Sequence, residues 1–143
     1  MFRVPKEIDK IKLTEDLLQA YKTLLKQKRF FEKRIYDEII LIKQSPIVSM
    51  LTGGLIEVKS DLEKREEIIE KNKMILERYT SVTDTVRLAL ESTRHFKYQG
   101  IVIMFYMCGK EISEILTFFK ISERKFYYQK KKILNAISDL IFY

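Results

Sequence analysis

The chain has 143 residues, of which 46% are apolar and 33% charged, with only four Gly, two Pro, one Cys and no Trp. The length excludes a barrel or dinucleotide-fold enzyme, and the composition excludes collagen-like, disulfide-rich and low-complexity chains. Because Gly and Pro are so sparse, an all-α fold dominated by long helices is expected. The formal net charge is +7, and residues 120–132 carry six basic side chains against one acidic, so most of this excess is local.

The sequence predicts a protein of the reducing cytoplasm that makes no contact with a membrane. Its single cysteine, Cys108, cannot form an internal disulfide, and residues 1–12 are too charged for the apolar core of a signal peptide. The longest apolar run, residues 100–109, has about half of the roughly twenty residues that a membrane span needs. This run is therefore predicted to form a buried core helix.

The first predicted helix begins with Thr14 as its N-cap, because two acidic residues follow and stabilise the positive end of the helix dipole. Apolar residues then recur at steps of three and four as far as Lys43, which gives the helix one apolar stripe. Pro46 and Gly53-Gly54 interrupt this pattern. A linker is therefore predicted over residues 44–54.

After the linker, apolar residues repeat every seven positions over about three heptads, as in a coiled coil. The resulting helix is expected to pair with the first helix as an antiparallel hairpin or with a second chain. Since two helices cover both apolar stripes poorly, a homodimer is expected, with Arg65 and Asn72 as polar residues in the seam. The residues predicted to carry oligomerisation are Leu55, Leu62, Ile69 and Leu76.

Residues 81–143 are predicted to form a second domain of shorter helices, following the helical hairpin or coiled coil of residues 1–80. The first helix of this domain is expected to be capped by Ser81 or Thr83 and to end near Arg94. The domain boundary is predicted at residues 80–81 because the heptad pattern ends there and shorter helical segments follow.

The second helix of this domain, residues 97–107, is apolar nearly all round and is expected to lie in the middle of the domain, with Gly109 ending it. Cys108 is interpreted as a packed core thiol, because the only histidine, His95, does not complete a set of metal ligands. The chain also lacks a nucleophile elbow and a Gly-rich phosphate loop. The sequence therefore predicts no metal, no cofactor and no enzymatic activity.

Two short helices joined by a tight turn complete the chain, and this layout is typical of a helix-turn-helix. The first is predicted over residues 110–118, and the second over residues 122–138 with Ser122 as its N-cap. The second helix is expected to bury Phe126, Ile133, Leu134 and Ile137.

The other side of this last helix is basic, and its predicted partner is double-stranded DNA, with the helix in the major groove. Arg124 and Lys125 lie in the first turn, close enough to reach base edges, whereas the later lysines would contact phosphates. Tyr127 and Tyr128 are assigned equally to DNA contact or to packing against the preceding helix. The predicted DNA-binding residues are Ser122, Arg124, Lys125, Tyr127, Tyr128, Lys130, Lys131 and Lys132.

Residues 82–134 resemble the helix-turn-helix of region 4 of bacterial sigma factors, through the segments EISEIL and ISERKFYYQKKKIL. Ile121-Ser122, Phe126 and Ile133-Leu134 occupy positions of that pattern. Phe119 and Phe126 are larger than the residues usual there, so local packing must differ. No sigma region 2 is found, and a complete sigma factor is not expected.

Over nearly its full length the chain is similar to the ArpU/RinA-like regulators of phage late genes, including the SPIVSM segment between two charged helices. This resemblance implies a sequence-specific activator of phage late transcription in the cytoplasm of a bacterial host cell. Direct contact with RNA polymerase is left open. The alternative interpretation is a helical protein-protein interaction module, such as an adaptor, anti-repressor or packaging component, whose basic helix binds an acidic protein surface.

Overall fold

The computed structural model describes the backbone of residues 1–52 and 55–143, and the side chains of residues 1–44 and 62–143. Its helices are α1 (Lys10–Thr52), α2 (Leu55–Ser92), α3 (Gln99–Val102, continued by a π-helical turn over Ile103–Met107), α4 (Ile112–Phe119) and α5 (Glu123–Ile141). The described backbone contains no β-strand, only an isolated bridge between Phe2 and Phe142. The all-α prediction is confirmed. Among the described residues, no helix is long and apolar enough to cross a membrane.

The chain divides into two compact units, which differ from the predicted domains of residues 1–80 and 81–143. The terminal unit comprises Met1–Leu24 and Val82–Tyr143, and the hairpin unit comprises Leu25–Ser81. The first turns of α1 belong to the terminal unit because Leu18 is fully buried in the same hydrophobic cluster as the C-terminal helices. The apolar spacing is constant along α1, so it does not indicate that the first turns of the helix belong to one unit and the later turns to the other.

The prediction of Thr14 as the N-cap of α1 is wrong, because the helix begins one turn earlier. Asp9 supplies the cap: its Oδ1 accepts hydrogen bonds from the backbone N–H of Ile11 at 2.9 Å and of Lys12 at 3.3 Å. Thr14 lies inside the helix, fully buried, and its hydroxyl donates to the carbonyl of Lys10 at 2.8 Å. A buried threonine satisfies its hydroxyl on the preceding turn, and its sequence neighbours do not distinguish this from capping.

The predicted linker is wrong over residues 44–52, because α1 continues past Pro46 to Thr52. A proline removes one backbone hydrogen bond from a helix and often bends it, but it does not always end it. The remaining two residues of the predicted linker, Gly53 and Gly54, lie outside the described residues.

The two N-caps suggested for a separate helix, Ser81 and Thr83, lie instead within α2. No Gly or Pro occurs between Leu55 and Ser92, so nothing in the backbone chemistry stops the helix there. Thr83 is buried, which shows that α2 keeps an inward side beyond the heptads. The coiled-coil segment and the first helix of the C-terminal domain are therefore one helix.

In the hairpin unit, the two long helices pack together within one chain. The Arg65 guanidinium lies 3.0 Å from a carboxylate oxygen of Glu38, in a partly buried ion pair. The rings of Phe31 and Tyr79 stack with their centroids 5.6 Å apart. These contacts join α1 to α2 at two levels and set the register of an antiparallel pair.

Of the four residues predicted to carry oligomerisation, the three with described side chains are buried or partly buried along α2. Ile69 is buried and Leu62 and Leu76 are partly buried, whereas the side chain of Leu55 lies outside the described residues. Asn72, the polar seam residue, is also buried. Of the two alternatives left by the heptads, the structure shows the hairpin within one chain, and the homodimer stays a prediction.

The terminal unit contains two hydrophobic clusters that share the helix of α3 and its π turn. Ile101 belongs to the smaller cluster, with Ile115 of α4 and Phe126 of α5, and Phe105 packs against both clusters. The prediction that residues 97–107 form a central apolar helix is confirmed in its location, although the helix begins at Gln99. The larger cluster contains Leu18, Val86, Ala89, Val102, Tyr106, Ile133, Leu134, Ile137, Ile141 and Phe142.

The end of this helix corrects the prediction for Cys108, which is exposed and not packed in the core. The π turn has a wider backbone ring, in which the Cys108 N–H donates to the carbonyl of Ile103 at 3.0 Å. One extra residue per turn shifts the residues that follow around the helix axis, away from the apolar side. Gly109, with φ at +65°, follows the helix at the predicted place.

Replacing Ile69 by alanine should lower the free energy of unfolding by about 2 to 5 kcal/mol, because a buried aliphatic side chain is lost. The mass in solution should stay unchanged, since α1 of the same chain covers this position. Met74→Ala, on an exposed position of the same helix, is the matched control and should change stability by about 0.5 kcal/mol or less. Urea unfolding and sedimentation equilibrium measure both properties, and a lower mass for Ile69→Ala alone would contradict the intrachain assignment.

Candidate nucleic-acid interface

A three-residue turn from Lys120 to Ser122 joins α4 to α5. Lys120 has φ 54° and ψ 49°, the left-handed conformation that ends a helix, and its N–H donates to the carbonyl of Leu116. The N–H of Ile121 donates to the same carbonyl at 3.2 Å. Ser122 then caps α5, since its hydroxyl oxygen accepts from the N–H of Lys125 at 3.2 Å. The predicted N-cap of the last helix is confirmed.

Both helices occur close to their predicted positions. α4 covers Ile112–Phe119 where residues 110–118 were predicted, and α5 covers Glu123–Ile141 where residues 122–138 were predicted. The structure adds Ser138 and Ile141 to the buried side of α5. The four residues of α5 predicted to be buried, Phe126, Ile133, Leu134 and Ile137, are all buried.

The smaller hydrophobic cluster holds α5 against α4. Phe126 is fully buried with Ile115 and Ile101, and its ring meets the ring of Phe105 edge-on at a centroid distance of 5.7 Å. An aromatic ring in contact with three elements leaves α5 little freedom to rotate about its own axis. The side of α5 that faces solvent is therefore determined by Phe126.

The bulk of Phe119, a departure from the sigma-like pattern, is matched by a glycine on α3. A Cβ built on Gly100 would lie 2.8 Å from Cζ of Phe119, closer than side-chain contacts allow. The absence of a side chain at Gly100 therefore makes room for the Phe119 ring at the end of α4. The ring of Tyr98 lies edge-on to the same phenylalanine, with the centroids 6.0 Å apart.

The solvent-facing side of α5 carries an exposed basic stripe. Arg124, Tyr128, Lys131 and Asn135 follow one another at steps of four, three and four residues, so they lie on one side of the helix, and all are exposed. Lys125 and Lys132, seven residues apart, are exposed beside them. In the part of the chain that the structure describes, none of these basic side chains lies in an ion pair.

The two tyrosines differ in exposure. Tyr128 is 65% exposed on the basic stripe, and Tyr127 is 44% exposed at its edge. The ring of Tyr127 meets the ring of Phe126 in its own helix at 5.2 Å. Both phenol groups reach solvent, which leaves them available to a ligand on this side of the helix.

Lys130 is the one predicted DNA-binding lysine whose position differs from the rest. Its Nζ lies 5.2 Å from the ring centroids of Phe105 and Tyr127 and 5.9 Å from that of Phe126, and the side chain is half-buried. Lys130 follows Phe126 by four residues and so falls on the buried side of α5. The three lysines from Lys130 to Lys132 are consecutive in the sequence, but helical spacing assigns Lys130 to aromatic packing.

A residue that the sequence analysis did not single out, Tyr98, positions one of the predicted base-contacting residues. The Nζ of Lys125 lies 4.8 Å from the ring centroid of Tyr98, and that of Lys97 lies 5.5 Å from it. The Lys125 ammonium, as a hydrogen-bond donor and as a positive charge, lowers the pKa of the Tyr98 hydroxyl. The tyrosine lies in a mostly apolar segment, so its spacing carried no signal of this role.

Among the described residues, no group of three or more His, Cys, Asp or Glu side chains comes together that could hold a metal ion. Comparisons with protein-family models, curated proteins and solved structures give no match for this chain. The similarities to sigma region 4 and to the ArpU/RinA-like regulators therefore stay predictions, and function is argued from the α5 surface.

Replacing Lys125 by glutamine should raise the pKa of Tyr98 toward its ordinary value of 10.0, because the group that lowers it is lost. In the native protein the phenolate thus forms at lower pH than in the variant. Lys97→Gln is the matched control and should have the smaller effect, since that ammonium lies farther from the ring. Alkaline titration of the Tyr98 ring carbon by NMR measures the shift, and equal effects of both variants would refute the assigned contact.

Proposed function

We propose that this chain is a sequence-specific DNA-binding transcription regulator that places α5 in the major groove of duplex DNA. The proposal rests above all on the exposed, unpaired basic stripe of α5, which begins directly after a capped turn. Isolated cations on a rigid helix suit a partner with a dense and regular array of negative charge, and duplex DNA is such a partner.

The geometry of α5 supports a division of labour along the helix. Arg124 and Lys125 lie in the first turn, where the free backbone amides and the positive end of the helix dipole also favour a phosphate. Lys131 and Lys132 lie seven and eight residues beyond Arg124, or about 10 to 12 Å along the axis, which is far enough for them to reach the backbone while Arg124 reaches the bases. We infer that Arg124 and Lys125 read base edges and that Lys131 and Lys132 bind the backbone.

The narrower form of the proposal, an activator of phage late genes, rests on the resemblance to the ArpU/RinA-like regulators. In that form the α4–α5 pair is a sigma-like helix-turn-helix, and the hairpin unit serves self-association or contact with RNA polymerase. A homodimer would present two α5 helices to two half-sites of one operator. Sequencing the DNA fragments that the purified protein selects would define that operator.

The alternative function, a helical protein-protein interaction module, is supported by Phe118. This side chain is 69% exposed on α4, beside Glu114, where an apolar ring suits a protein partner. Binding to duplex DNA at low ionic strength separates the two functions. A purified chain that binds no duplex DNA under those conditions would overturn the DNA-binding proposal in favour of the interaction module.

Arg124→Lys should lose about 1 to 3 kcal/mol of binding free energy on the selected site, because lysine keeps the charge but not the two-pronged geometry that pairs with guanine. Affinity for random DNA should stay near that of the parent protein. Arg94→Lys, at an exposed position outside α5, is the matched control. Fluorescence anisotropy on selected and random duplexes measures the difference, and equal losses on both would contradict a base-reading role.

Lys131→Met should reduce the salt dependence of DNA binding by about one unit of slope, which corresponds to one lost phosphate contact. Lys130→Met should leave the slope almost unchanged, because Lys130 is half-buried on the Phe126 side of α5. The two substitutions remove the same group from neighbouring residues, so each is the control for the other. Anisotropy titrations over a series of salt concentrations give the slopes, and a larger change for Lys130→Met would show that the stripe is assigned wrongly.

A further inference from the structure

A second cluster of positive charge lies on α1, within the hairpin unit. Residues 26–34 contain five basic side chains and one acidic, Glu32. Residues 1–80 as a whole hold 17 basic and 14 acidic side chains, so the cluster is not apparent from the net charge of this region. The cluster is distinct from the basic side of α5 in both sequence and structural unit.

Three of these residues form a single stripe, named here the α1 basic stripe. Lys26, Arg29 and Lys33 follow one another at steps of three and four residues, and all three are exposed. The stripe spans seven residues, or about 10 Å along the helix axis. Ile35, on the opposite side of α1, is buried, so the stripe faces away from the core of the hairpin.

Two carboxylates lie close to the α1 basic stripe, Glu32 three residues after Arg29 and Asp37 four residues after Lys33, and both are exposed. In the described part of the chain, none of its three cations lies in an ion pair. Arg29 and Lys33 are four residues apart on a helix, where like charges repel. This arrangement destabilises the free helix slightly, and an anionic partner would remove the repulsion.

Among the described residues of the hairpin unit, an anionic surface on α2 is already neutralised. Glu63, Glu66 and Glu70 are exposed at the same spacing of three and four residues. Residues 63–73, however, contain four acidic and four basic side chains. Glu70 also lies 4.0 Å from the ammonium of Lys73. This segment of a second copy would therefore bring no net negative charge to the stripe.

A nucleic-acid backbone fits the stripe better, because its charge is uniformly negative and regularly spaced. Tyr36, three residues after Lys33, is 63% exposed and extends the same side of α1 with a hydroxyl donor. Lysine, arginine and tyrosine side chains are among the usual donors to phosphate oxygens in protein–DNA contacts. The stripe offers no device for reading bases, such as a capped helix start.

We propose that the α1 basic stripe is a second DNA-binding surface, which contacts the phosphates of duplex DNA without regard to sequence. It belongs to the hairpin unit and does not depend on the assignment of α5 as a recognition helix. Binding at this surface adds to the salt dependence of the whole protein.

The test uses the full chain and a random-sequence DNA duplex. The stripe variant carries Lys26→Gln, Arg29→Gln and Lys33→Gln. The matched control carries Lys64→Gln, Lys71→Gln and Lys73→Gln, which remove the same charge from exposed positions of the same unit. A third variant, Arg124→Gln with Lys131→Gln, disables α5. Circular dichroism verifies the helix content of each variant.

The stripe variant should lower the slope of log affinity against log salt concentration by about 2 to 3, which corresponds to three lost phosphate contacts. The matched control should retain a slope close to that of the parent protein. If the stripe variant matches the control while the α5 variant loses binding, the second surface is refuted and the proposed function stands. If only the stripe variant loses binding, the second surface stands and the recognition role of α5 is refuted.

Two further outcomes would overturn the second surface. A parent protein that binds no duplex DNA at low ionic strength would overturn it together with the proposed function. A stripe variant with parental DNA binding but a changed mass in sedimentation equilibrium would show that the stripe contacts another protein chain instead.

Discussion

The burial of Phe126 is the contact on which the exposed basic surface of α5 depends. Its ring packs with Ile101 and Ile115 and meets Phe105 edge-on, so α5 is held at one rotation about its axis. Because α-helical residues repeat with a fixed angular step, this one buried residue determines which other positions reach solvent. The basic stripe of α5 is a consequence of that packing.

The same constraint explains why neighbouring lysines have different roles. Lys130 shares the buried side with Phe126 and is half-buried over aromatic rings, whereas Lys131 and Lys132 are exposed. The Lys132 ammonium also lies 5.9 Å from the ring centroid of Phe96, so burial and not ring contact separates the two lysines. A half-buried cation beside ring faces is stabilised by the ring quadrupole and is less available to an external anion. The number of basic residues in a sequence cluster is therefore an upper limit on the number of cations available to a ligand.

The α4–α5 region could be predicted well from sequence because its signals are local. Ser122 follows a break and precedes an acidic residue, and the apolar spacing of α5 is regular. The long helices were harder, because Pro46 and Ser81 act as breaks only where the surrounding packing permits. The cap at Asp9 is a local contact, but Thr14 with two acidic residues after it carries the same kind of signal, so the sequence does not decide between the two. The π turn before Cys108 depends on tertiary packing, which a single sequence does not encode in any short motif. Tyr98 was missed for the same reason.

Across the described residues, acidic neighbours at helical spacing separate structural cations from candidate binding cations. Lys12 pairs with Asp16, and Arg87 lies between Asp84 and Glu91, each three or four residues away on its own helix. Such pairs contribute a few tenths of a kcal/mol, about 0.2 to 0.5 each, and leave little net charge for a ligand. The exposed basic side chains of α5 have no acidic residue three or four positions away on their helix. The α1 basic stripe has Glu32 and Asp37 at that spacing but forms no ion pair with them among the described residues. The lack of acidic neighbours on α5 is the physical basis of the proposal that this helix binds a polyanion.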